Sequence, residues 1–264
     1  MDSMRKALRR NFALSLLLAL LAVSAWNTGF DPLKLLRGLP NLFAFAREAL
    51  PPDPDLLGVA LRGILETLQI AYVGTFLGLL LALPLGLMAA RNLFPRLMVV
   101  PARLLLAAVR TVPSLLWAVF FVIFVGLGPF AGVLATALYS LGFLGKLYYE
   151  AFEAAEPDAR EAVEAMGATR AQVIRHVVLP QSAPHLLSQL LFMFEYNVRA
   201  SSILGFVGAG GIGFYILGYL QLLRYDRVLT LLLVVFATVL AIDWLSQRIR
   251  DRFIVPATSP GPGA

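Results

Sequence analysis

Glu161-Ala162-Val163-Glu164-Ala165-Met166-Gly167, followed thirteen residues on by Leu179-Pro180, is a short polar island between long apolar runs. Its punctuation reads as a helical hairpin. Asp158, after Pro157, is placed to N-cap a first helix, with Glu161 three residues later completing a capping box. Gly167 suits the left-handed stop of that helix, and Ala168 follows it into the turn. Thr169 with Gln172 offers a second capping box, and Pro180 is expected to limit the helix it starts. A capped polar knob set in an apolar chain suits docking to a soluble partner. An ordinary solvated helix–turn–helix is the alternative reading.

The setting is a membrane. The chain of 264 residues is 59% hydrophobic and 14% charged, with a mean hydropathy of +0.78. Soluble domains carry about 25% charged residues. A span takes about 20 apolar residues, so uncharged runs measure the topology. Residues 11–30 and 67–90 are the first two. Val23-Ser24-Ala25 would also fit the cleavage site of a secretory leader, although the rest of the chain is itself membrane-embedded. Residues 111–145 are uncharged throughout and would run about 52 Å as one helix, against a bilayer of about 30 Å. Gly126-Leu127-Gly128-Pro129 breaks that run, which predicts two spans joined by a tight turn. Residues 97–109, with Arg103, read as an interfacial or cytoplasmic helical extension before the third span. A fifth span is predicted from Pro184 to Leu204 and a sixth over 228–245. The predicted class is all-α, with six transmembrane helices. Three regions follow: an N-terminal anchor helix and external loop (1–60), a core (61–253) holding the hairpin at about 150–183, and a disordered tail (254–264).

Six spans leave both termini on one side. That side, with the hairpin, holds fifteen of the 22 Lys and Arg residues, against six on the other. The positive-inside rule then predicts cytoplasmic termini and a cytoplasmic hairpin. The net charge of +6 is thus topogenic and not a nucleic-acid footprint. Residues 27–55, with their prolines, become an external loop.

Chemistry-bearing motifs are scarce. With no cysteine, disulfides, thiolate metal sites and cysteine nucleophiles are excluded, and His176 and His185 lack HExxH spacing. No P-loop and no GxSxG occurs, so the chain is expected to be no enzyme and to bind no cofactor itself. Gly208-Ala209-Gly210-Gly211-Ile212-Gly213 matches GxGxxG literally. A dinucleotide site needs a strand before it, whereas here an apolar helix precedes it. Close backbone packing or a bend, a gate or hinge at Gly208, Gly210, Gly211 and Gly213, is the better reading.

The fifth span carries charge. Ser188, Glu195, Arg199 and Ser202 fall within about 60° on a helical wheel, with Glu195 and Arg199 an i,i+4 pair. A charge in the bilayer costs about 2.5–3.5 kcal/mol even on insertion scales, so this stripe must face protein or water. Asn197 and Ser201 lie on the other side, which surrounds the helix with protein or cavity. Either Glu195 and Arg199 form a structural ion pair, or the stripe lines a pathway with Arg199 near a passing anion.

Glu161, Ala162, Gly167, Leu179 and Pro180 resemble the EAA loop of ATP-binding-cassette importer permeases, E-A-A, three residues, G, nine residues, I-x-L-P. Val163 and Val177 replace an Ala and an Ile of that pattern. The run Phe194-Glu195-Tyr196-Asn197-Val198-Arg199 and the glycine segment are similar to the phosphonate- and phosphite-type members, as are Arg110-Thr111-Val112-Pro113 and residues 142–147. The glycine segment alone also resembles methionine-type permeases. This resemblance implies a type I importer permease moving a phosphorus oxyanion inward, with an amino acid or another small solute as the alternative cargo. It further implies a homodimer of permeases in membrane lipid, two ATPase subunits that bind ATP and Mg, and an extracytoplasmic substrate-binding protein. The EAA loop would dock on the ATPase.

Overall fold

The computed structural model describes residues 2–253, so the predicted tail 254–264 lies outside them. Every regular element among the described residues is helical. The chain divides into two compact units, one through residue 48 and one from residue 49.

The first unit holds Asp2–Asn27 (α1) and all but the last residue of Pro32–Ala49 (α2). Helix α2 occupies most of the segment expected to be an external loop. Its apolar residues recur at helical spacing, and Pro32 sits in the first turn, where a helix tolerates proline, behind the Asp31 carboxylate that accepts from the Leu33 N–H (2.9 Å); Pro40 lies inside the helix and costs it one backbone bond.

The second unit opens with the predicted second span. It forms Leu57–Ala89 (α3), ten residues longer at its start than expected, because Arg62 and Glu66 bound the apolar window without breaking the helix. Arg96–Thr111 (α4) and Ser114–Val125 (α5) meet at 88°. Pro113 forces that break by holding Val112 extended (φ −92°, ψ 121°). The third span is therefore not one straight helix. At 12 residues, or about 18 Å, α5 is too short to cross alone. The turn at Gly126 and Gly128 is where the sequence placed it, and Pro129–Glu153 (α6) follows. Among the described residues five helical runs are long and apolar enough to cross a membrane, and the bent α4–α5 pair brings the number to six when it is counted as one broken span.

The hairpin is Pro157–Ala165 (α7) and Arg170–Val173 (α8). Pro180 does not end its second helix. A π turn over Ile174–Val178 leads straight into Leu179–Leu204 (α9), giving one continuous helical run. Proline lacks an N–H and crowds the carbonyl four residues back; the wider π turn accommodates both. Ile212–Gln221 (α10) and Tyr225–Phe253 (α11) complete the unit.

Small residues set the packing of α3 on α6. A Cβ on Gly78 would meet the Ser140 side chain, and one on Gly74 would lie 2.6 Å from Thr136. The backbones approach closely, as in other membrane helix pairs. At the hairpin end of the bundle a core of Leu106, Leu144, Tyr148, Phe152, Val178 and Met193 joins α4, α6 and α9. At the other end Ile64, Ile212, Ile216 and Leu231 join α3, α10 and α11.

Candidate functional site

Three places that the sequence singled out bring polar groups together among the described residues. The first is the hairpin. Glu156, not Asp158, is the N-cap of α7, and Pro157 takes the first helical position. Proline's missing N–H is one the first turn would leave unbonded anyway, so the helix starts two residues early and the expected Asp158–Glu161 box does not form. Asp158 still sits in the first turn, where a carboxylate favours the helix dipole. Gly167 adopts φ +84°, its N–H donating to the Glu164 carbonyl (2.9 Å) while that of Ala168 donates to Val163 (3.4 Å). The predicted capping box at Thr169 and Gln172 forms, with the Thr169 N–H donating to Gln172 Oε1 at 2.7 Å. Glu161, Ala162 and Met166 are exposed, leaving a free outer face.

The hairpin is fastened to the bundle by a polar clasp. Arg160 donates to the Asn92 carbonyl (3.2 Å), and the Asn92 amide donates to the Phe152 carbonyl (2.9 Å). Glu153 accepts from the Arg91 N–H (2.7 Å) and from Arg103 (2.6 Å). Arg103 also donates to the Ala89 carbonyl (2.9 Å) and lies 4.2 Å from the Tyr149 ring. Gln181 accepts from the Glu156 N–H (3.0 Å). Leu179 and Pro180 lie inside the helix that carries this contact into the bundle. Displacing α7 therefore pulls on α3, α4, α6 and α9 together.

The second place is the charged layer. Glu195 is 7% exposed and meets Arg199 at 3.7 Å, but its close partner is Arg250 on α11, at 2.7 Å. Arg199, 48% exposed, reaches Asp243 of α11 at 3.2 Å. The predicted pair is thus half of a chain, Arg250–Glu195–Arg199–Asp243. Asp243 and Arg250 escaped the sequence reading, yet their spacing of seven puts them about 20° apart on one face of α11. A carboxylate near the end of an apolar span and an arginine two turns on were the available signal.

Asn197 faces away from this layer. Its amide donates to Thr75 Oγ1 and Ser140 Oγ, both at 2.7 Å, pinning α9 to α3 and α6. Ser202 is buried, its hydroxyl donating to the Val198 carbonyl (3.0 Å), and Ser188 is half-buried.

The third place is the glycine loop. Gly208, Gly210 and Gly211 have φ of +83°, +81° and +78°. The Gly211 N–H donates to Glu66 Oε1 (3.1 Å) and that of Ile212 to Thr67 Oγ1 (2.8 Å). The Gly128 N–H donates to the Gly208 carbonyl (2.8 Å). A Cβ on Gly213 would run into the Ser202 carbonyl, so only glycine fits there. The loop is a bonded corner between α3, α6, α9 and α10. Glu66 was missed because its charge served to mark the edge of a span.

Residues 82–255 match the family described as the inner membrane component of binding-protein-dependent transport systems. The phosphite transport system permease protein PtxC of Stutzerimonas stutzeri is 40% identical over 233 residues, which cover 88% of this chain and 85% of that one. The phosphate-import permease protein PhnE of Mycolicibacterium smegmatis is 42% identical over 217 residues, 81% of this chain and 41% of its own longer length. Among solved structures, the inward-facing methionine ABC transporter MetNI aligns with a TM-score of 0.67 at 25% identity, covering 75% of this chain and 98% of that one.

Proposed function

The chain belongs to the family of inner membrane components of binding-protein-dependent transport systems, and from that premise we propose that it carries a phosphorus oxyanion inward as the permease subunit of an ATP-binding-cassette importer. The observation that carries this reading is the identity of about 40% with a phosphite permease over most of both chains. Arg199, half-exposed although paired with Glu195 and Asp243, supports it, since a guanidinium at that depth with access from outside the layer suits an oxyanion.

In this proposal two copies of the chain form the pathway, with both termini and the hairpin in the cytoplasm. The exposed face of α7 around Glu161 and Ala162 docks on an ATPase subunit that binds ATP and Mg. The clasp at Asn92, Arg103 and Glu153 passes its motion to α3, α4 and α6. An extracytoplasmic binding protein delivers the anion near the glycine loop, whose corner at Gly208–Gly213 gates the outer end. Ser188 and Ser202 lie along the charged face of α9, and Asn197 holds that helix in register.

The test is ATP-driven uptake in proteoliposomes containing this chain, its ATPase and its binding protein. Labelled phosphite or a phosphonate should accumulate and methionine should not. Uptake of methionine or choline with no uptake of any phosphorus oxyanion would overturn the cargo and leave the permease role standing.

A further inference from the structure

Helix α2 has two opposed faces. On a wheel of 100° per residue, Leu35, Leu39, Leu42 and Phe43 fall within about 100°, while Lys34, Arg37, Asn41 and Glu48 fall within about 60° on the far side. The apolar face is open: Leu35 is 76% and Phe43 73% exposed. With Lys34, Arg37, Arg47 and Glu48 in 18 residues, α2 is too charged to cross a bilayer. We infer that α2 is an interfacial helix, lying in the membrane surface on the side where α1 emerges, with its leucine and phenylalanine face in the acyl boundary and its polar, charged face among the headgroups.

Its occupant is identified by what precedes it. The apolar window of α1 ends at Asn27. There Gly29 (φ +63°) stops the helix, the Phe30 N–H donating to the Ala25 carbonyl (2.9 Å), and Asp31 caps α2 at once. Residues 28–31 span at most about 14 Å and are folded back by the Phe30–Ala25 bond, so the first turn of α2 stays close to the end of α1. Trp26 and Phe30, both exposed, stand at this junction, as aromatic residues do at membrane–water boundaries. Lys34 and Arg37 complement anionic lipid, and Arg47, on the flank of the apolar face, has the length to reach headgroups. This geometry is that of a surface-lying amphipathic helix.

The inference rests on α1 spanning the membrane, and the experiment separates the two. The chain has no cysteine, so single nitroxide labels can be placed on the full-length protein as Leu17→Cys, Leu39→Cys and Asn41→Cys. The protein is reconstituted in nanodiscs of phosphatidylethanolamine and phosphatidylglycerol, and collision with oxygen is compared with collision with a water-soluble nickel chelate. The oxygen-to-nickel ratio at 17 and 39 should exceed that at 41 several-fold. Nickel access at both 39 and 41, with 17 still lipid-exposed, would overturn the interfacial helix. Shielding of both from both reagents would assign the face to a protein, either a second copy or a partner. Nickel access at 17 would remove the spanning α1 and the inference with it.

Discussion

Among the described residues, replacing Glu195 with Gln removes the carboxylate that Arg250 meets in the charged layer and one of two that hold Arg199. Stranding a charge by deleting its buried partner costs about 3–5 kcal/mol. Arg250 retains some solvent access and Arg199 is half-exposed, so screening discounts the figure to about 1–3 kcal/mol here. The layer also ranks its own pairs. Glu195 meets Arg250 at 2.7 Å but Arg199 at only 3.7 Å, and Arg199 keeps Asp243 when Glu195 is lost. A double-mutant cycle measures the ranking. Glu195→Gln with Arg250→Gln should recover most of the stability lost by Glu195→Gln alone, a coupling of about 1–3 kcal/mol. Glu195→Gln with Arg199→Gln should recover little, a coupling below about 1 kcal/mol. Thermal unfolding of the purified protein in one detergent reads both cycles. Uptake separates structure from transport: a stable Arg199→Gln variant that carries little anion, with Arg199→Lys partly active, fits an anion role for the guanidinium. Larger coupling for 195 with 199 than for 195 with 250 would refute the assignment of Arg250 as the close partner.

Gly167→Val places a β-branched residue at φ +84°, which costs about 1–2 kcal/mol or more and turns the hairpin; the subunit should stay in the membrane, bind its ATPase weakly in pull-down and fail in uptake. Asn197→Ala removes both 2.7 Å bonds that join α9 to α3 and α6 and leaves the buried Thr75 and Ser140 hydroxyls short of a partner, so stability should fall by about 1–3 kcal/mol, read as a lower unfolding midpoint; an unchanged midpoint would remove the lock. Glu153→Gln keeps the acceptor for the Arg91 N–H but loses the ion pair with Arg103, so ATP hydrolysis should continue while uptake per ATP drops; proportional loss of both would leave the clasp a stability feature. A cysteine at Pro52 should react with an impermeant reagent from outside and one at Ala168 only from the cytoplasm, and the reverse pattern would invert the topology.

Most of the local signals were legible in the sequence, the Asp158 cap being an exception because Pro157 started α7 early. The helix stop at Gly167, the Thr169–Gln172 cap and the break at Gly126–Pro129 each depend on residues within four or five positions, and each stands in the structure as read. The apolar runs, counted against bilayer thickness, announced the multi-span class for the same reason: hydropathy is a property of the chain itself. Tertiary structure decided the rest. Pro180 reads as a stop by propensity, yet a π turn upstream and the packing of Val173, Val178 and Met193 into one core carry the helix through it. The close partner of Glu195 is Arg250, 55 positions along, and Gly211 is held by Glu66, 145 positions back. Such partners are chosen by which helix faces meet across the bundle. A wheel drawn on one segment shows that a charge needs company and leaves open which charge supplies it.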